Sequence, residues 1–401
     1  MKKVLALVTK ATSSLDYLLP LVLRSRALHP DWQWSILFWG SIDSITKGQK
    51  TYLELLKGQA EVFSLEDFTG PFPFQALSFA DKASQGFLSQ ASGTFLCKRI
   101  LKKFKPDLVL FDHREGRYPF LDQMKKEVVR ENVFSILVPH APHHTGVEAF
   151  VRFSDWCEMP DRSEYWMPFI HDRYSSKSTV PADRFVHVGY PGLDSDWLEK
   201  LKAISATPRK KVHVLLMARK IFPPGVREFP PGHDHFAFFY DEFQNLLKGV
   251  DQAVSEIFPE YEICIKPHPS TDRELLKEIC KGFEHVGIAN DSIYGLLNHF
   301  DIFLSFYTTT ILVPLIAGKP SFVIDSRIQN EIRPWPELKD LYEDPSFFAK
   351  DFAELKKHLK VVRDNGSAEK QRLQTSVQHV RKFFPDRASD KALLRMTEVL
   401  K

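Results

Sequence analysis

Short apolar runs alternate with amphipathic segments through most of this chain, and this alternation limits the fold more than any other feature does. Runs such as Val4–Val8, Leu108–Phe111 and Val133–Val138 have the length of strands and are apolar enough to be buried on both faces. Segments with the apolar spacing of helices, such as Leu15–Ala27, lie between such runs. Strands that alternate with helices form parallel βαβ units, whose right-handed crossovers build a doubly wound sheet.

A second series of strands and helices begins after the polar stretch Leu201–Lys211, which is the best candidate for a domain boundary. Val212–Met217 is its first strand, and a chain of 401 residues is long enough for two domains. The sequence therefore predicts an α/β protein with two Rossmann-like, doubly wound domains that face a cleft, over residues 1–205 and 206–365. Residues 366–401 carry no strand pattern, and we expect them to form C-terminal helices that pack on the domains.

The composition excludes several classes of protein. A formal net charge of +3 is too small for a nucleic-acid-binding surface, although it suits weak attraction to anionic substrates or membranes. The four cysteines form no CxxC pair, which indicates a reducing compartment. No segment has the roughly 20 apolar residues of a membrane span, so we expect a cytoplasmic protein, with any membrane contact peripheral and at the inner face.

The strongest candidate for a binding site is the end of the predicted strand Tyr261–Ile265, which runs into Lys266, Pro267, His268 and Pro269. In an open parallel sheet, ligands bind outside the carboxyl ends of the strands. The two prolines restrict the backbone, so His268 is presented in few orientations, and Lys266 adds a charge that suits phosphate. A histidine that only completes a turn is the alternative interpretation.

A second predicted strand, Ile302–Leu304, ends in a turn that is rich in hydroxyl groups, among them those of Ser305, Thr308 and Thr309. An apolar helix follows the turn, and the N–H groups at a helix start attract phosphate. An ordinary helix cap is the alternative, but a cap needs one hydroxyl and this turn offers several. The turn therefore predicts a second contact for phosphate.

These two motifs resemble the donor site of glycosyltransferases of the GT-B type. They are similar to motifs of bacterial polysialyltransferases, capsule Kdo transferases and teichoic-acid CDP-glycerol transferases, in which a His-Pro motif and a Ser/Thr motif contact the phosphates of a CMP or CDP donor. His187–Asp194 also resembles the V-x-G-x-P-x-x-D segment that closes the first domain in this group. The resemblance covers residues 185–325, and over the first domain it extends to architecture alone. It implies that Arg219 and Lys220 lie near the donor diphosphate, a solvated basic pair being the alternative.

Two strand ends in the first domain are candidates for the catalytic base. Asp112 directly follows a buried strand, and Glu115 matches the second acidic position of the acidic-acidic-Gly motif of polysialyltransferases, although Arg114 occupies the first position. The other strand end carries His140 and His143 in a proline-rich loop. A histidine with a pKa near neutral suits removal of a proton from an acceptor hydroxyl. A helix cap at Asp112 and a surface ion pair at Glu115 are the alternatives.

A zinc site is the competing interpretation of the histidines His113, His140, His143 and His144. No thiolate accompanies them and the sequence shows no clear His-x-x-x-His helix, which weighs against zinc. The resemblance to GT-B enzymes implies catalysis without a metal. We therefore expect neither a metal nor a cofactor.

The sequence thus predicts a metal-independent glycosyltransferase that moves a sugar from a CMP-activated or other nucleotide-activated donor to a hydroxyl of a surface glycan or glycolipid. Its expected partners are the donor, a carbohydrate or lipid-linked acceptor, and a membrane or a complex that assembles capsule or other polysaccharide, with no nucleic acid. A nucleotide-sugar 2-epimerase is one alternative, although such enzymes usually have Ser-Gly-Gly where this chain has Ser305, Phe306 and Tyr307. A non-catalytic nucleotide-sugar binding protein is the other.

Overall fold

The computed structural model of the protein describes residues 1–8, 11–38, 50–69, 87–112, 119–139, 162–167, 182–203, 210–226, 228, 237–268, 271–306, 308–324 and 341–401. The chain divides into two compact units. The first contains Met1–Trp197 and Phe384–Lys401, and the second contains Leu198–Phe383. The chain therefore enters the second unit once and returns to the first for its last residues.

Strands and helices alternate through the first unit, as the apolar pattern predicts. Its strands are β1 (Lys3–Val8), β2 (Gln33–Phe38), β3 (Glu61–Ser64), β4 (Leu108–Asp112), β5 (Phe134–Val138), β6 (Ser163–Met167) and β7 (Phe185–His187). The helices that accompany them are α1 (Ala11–Leu28), α2 (Lys50–Leu56), α3 (Glu66–Thr69), α4 (Phe87–Phe104) and α5 (Pro119–Arg130). Helix α6 (Ser195–Lys202) follows β7 and leads into the second unit.

The first sheet has the strand order β3-β2-β1-β4-β5-β6-β7 over the described residues, and every neighbouring pair is parallel. The chain runs outward from β1 to β3 and then returns to β4 on the other side of β1. The strand order therefore reverses between β1 and β4. The apolar residues Val4–Val8 and Leu108–Phe111 are buried, as the sequence predicts for a sheet that is covered on both faces.

Strand β6 has a composition that conceals it from sequence analysis. It carries Glu164 in the interior of the unit, where a charge is costly unless it is paired. The Trp166 Nε1–H donates to this carboxylate at 3.0 Å, and the Arg395 Nε–H donates to it at 2.9 Å. The buried charge is thus compensated by a side chain 231 positions away, which no local pattern reveals.

The second unit repeats the alternation. Its strands are β8 (Val212–Met217), β9 (Tyr261–Lys266), β10 (Val286–Ile288), β11 (Ile302–Ser305), β12 (Ser321–Ile324) and β13 (Phe348–Ala349). Its helices are α7 (Tyr240–Ser255), α8 (Arg273–Cys280), α9 (Ile293–Leu296), α10 (Leu312–Ile316), α11 (Phe352–Asp364) and α12 (Gly366–Phe383). Helix α8 begins where the Asp272 carboxylate accepts the Glu274 N–H, an N-cap that the sequence makes available.

The second sheet has the order β10-β9-β8-β11-β12-β13 within the described residues, again with parallel neighbours. Its strand order reverses between β8 and β11. Alternate residues of β8, β9 and β11, such as Leu216, Ile265 and Leu304, form one buried cluster with residues of α7 and α11. Helix α7 approaches α11 closely at Gly249, where an added Cβ would lie 2.3 Å from the Phe352 ring. Both sheets therefore have the doubly wound arrangement that the sequence predicts.

The last helix, α13 (Ala388–Val399), packs in the first unit. The helix contacts the segment His187–Asp194, which resembles V-x-G-x-P-x-x-D. The Asp194 carboxylate accepts the N–H groups of Ala388 at 2.6 Å and Ser389 at 2.7 Å, which are amides of the first turn of α13. Gly189 has a φ of +88°, and a Cβ there would lie 2.9 Å from the Ala388 Cβ, so only glycine suits this contact. The motif therefore holds the C-terminal helix in place.

Candidate functional site

The carboxyl ends of β8, β9 and β11 lie side by side at one edge of the second sheet. In the strand register, Met217 pairs with Lys266 on one side and with Ser305 on the other. Neighbouring strands are about 4.8 Å apart, so the Cα atoms of Lys266 and Ser305 are about 10 Å apart. Two residues from separate sequence motifs are thus brought to the same edge, beside the reversal of strand order.

Lys266 and Ser305 also share a face of the sheet. Side chains alternate along a strand, and Ile265 and Leu304 occupy the buried cluster on the opposite face. Lys266 is half-buried and Ser305 is fully buried. The Ser305 hydroxyl makes no hydrogen bond to any residue that the structure describes, so a polar ligand group would relieve the cost of its burial.

The segment after β9 presents His268 to solvent. Pro267 is half-buried and His268 is exposed, while Pro269 lies outside the described residues. The Thr271 N–H donates to the His268 carbonyl at 2.9 Å, and the Thr271 hydroxyl accepts the Ile221 N–H at 3.4 Å. Thr271, which the sequence motifs did not single out, therefore joins the segment after β9 to the segment after β8.

The segment after β8 carries Arg219 and Lys220, both half-buried. The segment stays paired with β9 for one residue beyond β8, because the Ala218 N–H donates to the Lys266 carbonyl at 3.0 Å. The Lys220 carbonyl accepts the Phe238 N–H at 2.8 Å. The Lys220 Nζ lies 4.7 Å from the centroid of the Phe222 ring. These contacts hold the backbone of the segment at the carboxyl edge, close to Lys266.

The turn after β11 combines a cap with further polar groups. The Thr308 Oγ1 accepts the Thr310 N–H at 3.4 Å and donates to the Thr310 hydroxyl at 3.2 Å, so the capping interpretation is correct for this residue. Thr309 begins a 3-10 turn, Thr309–Ile311, that precedes the short helix α10. A helix of five residues has a weak dipole, so any anion affinity here would depend mainly on side chains and turn amides.

In the first unit, Asp112 is the predicted catalytic candidate that lies within the described residues. It is the last residue of β4, pairs with Val138 of β5 and is buried. It therefore stands at the carboxyl end of the strand where the order of the first sheet reverses. Glu115, His140 and His143 lie outside the described residues, as do the other two histidines of the zinc alternative.

Two further properties concern the described residues only. These residues contain no group of three or more His, Cys, Asp or Glu side chains that could hold a metal ion. No helix among them is long and apolar enough to cross a membrane.

Comparison with known proteins gives similarity of structure without similarity of sequence. No protein-family model matches the chain, and no curated protein matches it significantly. A UDP-GlcNAc 2-epimerase from Neisseria meningitidis bound to UDP-GlcNAc has a TM-score of 0.58 and 13% identity, covering 99% of this chain and 100% of that chain. A glycosyltransferase from Rickettsia africae has a TM-score of 0.58 and 12% identity, covering 100% and 99%.

A third similar structure is the wall teichoic acid polymerase TagF, soaked with CDPG, at a TM-score of 0.55 and 14% identity, covering 99% of this chain and 88% of that chain. At such identities the similarity establishes the fold. The chain has the GT-B type of fold, with two Rossmann-like sheets and a helical C-terminal region, as predicted.

Proposed function

We propose that this protein is a glycosyltransferase that binds a nucleotide-activated sugar, such as a CMP-sugar, and transfers the sugar to a hydroxyl of a surface glycan or glycolipid. The observation that carries the proposal is the meeting of three polar strand ends at the carboxyl edge of the second sheet. Arg219, Lys220 and Lys266 supply positive charge there, and Ser305 supplies a buried hydroxyl. Cationic groups and hydroxyl donors are the chemistry that recognises phosphate.

In this proposal the donor phosphates contact His268, Ser305, Thr308 and Thr309, with Pro269 restricting the loop. Arg219, Lys220 and Lys266 stabilise the charge that develops on the departing nucleotide. The acceptor oxygen attacks the anomeric carbon, the bond from that carbon to the phosphate oxygen breaks, and the nucleotide leaves with the electron pair. No step in this sequence requires a metal or a redox cofactor.

The proton of the acceptor hydroxyl goes to a base of the first unit. Asp112 fits this role because it ends the strand at the reversal of the first sheet, where ligands of doubly wound sheets bind. His143, His140 and Glu115 are the sequence-based alternatives. An enzyme of this kind would work where lipid-linked or polysaccharide acceptors are assembled, which makes the inner membrane face its expected location.

A nucleotide-sugar 2-epimerase is the second candidate. The similarity of the whole fold to UDP-GlcNAc 2-epimerases favours it. The match to one of these enzymes covers 100% of that enzyme's chain. The turn after β11 argues for transfer instead, since it has Ser305, Phe306, Tyr307 and Thr308 where such epimerases usually carry Ser-Gly-Gly.

The two candidates differ in what they do to a donor that has no acceptor. The test incubates CMP-, UDP-, GDP- and CDP-activated donors with the purified chain, alone and with a panel of glycan acceptors. A glycosyltransferase forms new product when an acceptor is added, whereas an epimerised donor without acceptor would identify the second candidate. Binding of donor without turnover under either condition would identify a non-catalytic protein.

A pair of histidine variants assigns the activity to the proposed site. His268→Ala is expected to reduce transfer by about 10²–10³-fold, the cost of removing one group that stabilises charge in a transition state. His285→Ala is the matched control, because His285 is an exposed histidine that precedes β10 and so lies at the opposite edge of the same sheet. Full activity of a folded His268→Ala protein would exclude the assignment.

A further inference from the structure

Helix α4 exposes an aromatic side chain in line with four cationic ones. Phe95 is 70% exposed, although phenylalanine is usually buried. Lys98, Arg99, Lys102 and Lys103 are all exposed and follow it at helical spacing, so they lie on one face. The helix contains no aspartate or glutamate, and its outer face is therefore uniformly basic.

The other face of α4 fixes the direction of this stripe. Cys97, Ile100, Leu101 and Phe104 are buried in the core of the first unit. Turning the stripe inward would expose this apolar face, so the basic residues must point away from the core.

Helix α5 extends the same surface. It packs beside α4, and its outward residues repeat the combination, since Lys126 and Arg130 flank Val129, which is 48% exposed. Among the nearby carboxylates whose side chains the structure describes, Glu127 is buried and binds Arg130 at 2.6 Å, while Glu131 in the turn after α5 and Glu66 and Asp67 on the neighbouring helix α3 are exposed. Among the side chains that the structure describes here, the exposed cations therefore outnumber the exposed carboxylates.

Two members of the α4 stripe are held in place by the protein. The Arg99 Nη1–H donates to the Phe68 carbonyl at 3.0 Å. The Lys103 Nζ lies 4.2 Å from the centroid of the Phe63 ring and 4.7 Å from that of Phe68. Arg99 and Lys103 are thus engaged by the protein itself, and Lys98 and Lys102 are the cations of α4 that we assign to the outer face.

We propose that this basic face docks the protein on an anionic lipid membrane. The face consists of Phe95, Lys98, Lys102, Lys126, Val129 and Arg130. Anionic headgroups would attract the cations, and the two apolar side chains would enter the boundary between headgroups and acyl chains. A surface for nucleic acid is the less favoured occupant, because the chain has a net charge of only +3 and binding to phosphate backbones needs no exposed valine. The face uses none of the residues proposed for the donor site.

The test is flotation of the full chain with vesicles of phosphatidylglycerol and phosphatidylcholine in equal parts, compared with phosphatidylcholine alone. We expect binding to the anionic vesicles that weakens in high salt, because screening shortens electrostatic attraction. The paired reversal Lys98→Glu/Lys102→Glu should weaken binding by roughly 30-fold or more, since each cation near an anionic surface contributes roughly fivefold. Phe95→Ser should weaken binding at unchanged charge.

The matched control is Lys277→Glu/Lys281→Glu, which reverses two exposed lysines at the same spacing in the second unit. It should bind vesicles nearly as the unaltered chain does. Failure of the unaltered chain to bind anionic vesicles, or equal binding by the Lys98→Glu/Lys102→Glu variant, would overturn the proposal. So would binding to a labelled oligonucleotide that is lost in that variant while vesicles remain unbound. Donor binding, measured on the same proteins, should be unaffected, which separates this proposal from that of the donor site.

Discussion

The two sheets reverse their strand order at equivalent places, yet they present different chemistry there. In the first sheet the described residue at the reversal is the buried carboxyl group of Asp112, at the end of β4. In the second sheet the corresponding strand, β11, ends at Ser305, and Lys266, Arg219 and Lys220 stand at the neighbouring strand ends. One reversal thus carries an acid, whereas the other is surrounded by cations and a hydroxyl.

This difference shows what the topology decides and what it leaves to the side chains. The strand order creates a crevice at each reversal, because the helices on either side of it diverge. The residues at the strand ends then select the ligand. A cationic edge suits the phosphates of a donor, and an acidic edge suits removal of a proton.

The largest expected effect comes from removing the acidic group at the reversal of the first sheet. Asp112→Asn keeps the shape of the side chain and removes the base, so we expect kcat to fall by about 10²–10⁴-fold. Nucleotide affinity should stay within about twofold, since Asp112 belongs to the other unit. Steady-state kinetics measure kcat and calorimetry measures nucleotide affinity on the same protein. An unchanged kcat would show that Asp112 is not the base, and His143, His140 or Glu115 would then be the candidates.

The next largest effect comes from removing a cation at the carboxyl edge of the second sheet. Lys266→Met preserves the aliphatic stem and removes the charge, so the Kd for the donor should rise by about 10–100-fold, the range for a hydrogen bond to a charged group. Lys211→Met is the control, because Lys211 precedes β8 at the opposite edge and makes an exposed ion pair with Glu262. Equal affinity of the two variants would contradict the role of Lys266.

A third prediction separates structure from function in the first unit. Burial raises the pKa of Asp194 to about 6, although hydrogen bonds from Ser389 and Ala388 oppose the shift. Asp194→Ala would leave two buried N–H groups without acceptors and should lower the free energy of unfolding by about 2–5 kcal/mol.

Chemical denaturation measures this loss, with Asp196→Ala as the control. Asp196 is largely exposed and lies 3.8 Å from Arg24, so its removal should cost less than about 1 kcal/mol. Donor affinity of the folded Asp194→Ala protein should not change. A stable variant that binds donor poorly would instead place this motif in the site.

The positions that sequence analysis predicted share one property, which is that the relevant signal is local. Lys266 and Ser305 each end an apolar run, so the run predicts the strand and its end predicts the polar edge. Sequence analysis missed Thr271 because its hydroxyl accepts a hydrogen bond from the N–H of Ile221, which is 50 positions away. Asp194 lies in a motif that the sequence analysis did single out, but its role as an acceptor was missed because its partner amides lie 194 and 195 positions away.

The smallest expected effect concerns pH. Burial, reinforced by Lys391, lowers the pKa of His187 to about 4. An unfolded histidine has a pKa near 6.5, so the native state resists protonation and the contribution of His187 to stability is present above about pH 6.5 and lost as the pH falls towards 4. His187→Gln should therefore flatten the decline in stability over this window, and His285→Gln is the control at an exposed histidine. Parallel profiles for all three proteins would show that His187 does not contribute.

The central claim is that the carboxyl edge of the second sheet binds the phosphates of a nucleotide. Its most direct test is calorimetric titration of CMP, CDP, UDP and GDP into the unaltered chain, His268→Ala and His285→Ala. We predict that at least one nucleotide binds the unaltered chain and His285→Ala with equal affinity, and that it binds His268→Ala at least 10-fold more weakly. Absence of binding by all four nucleotides, or equal affinity for His268→Ala, would contradict the claim.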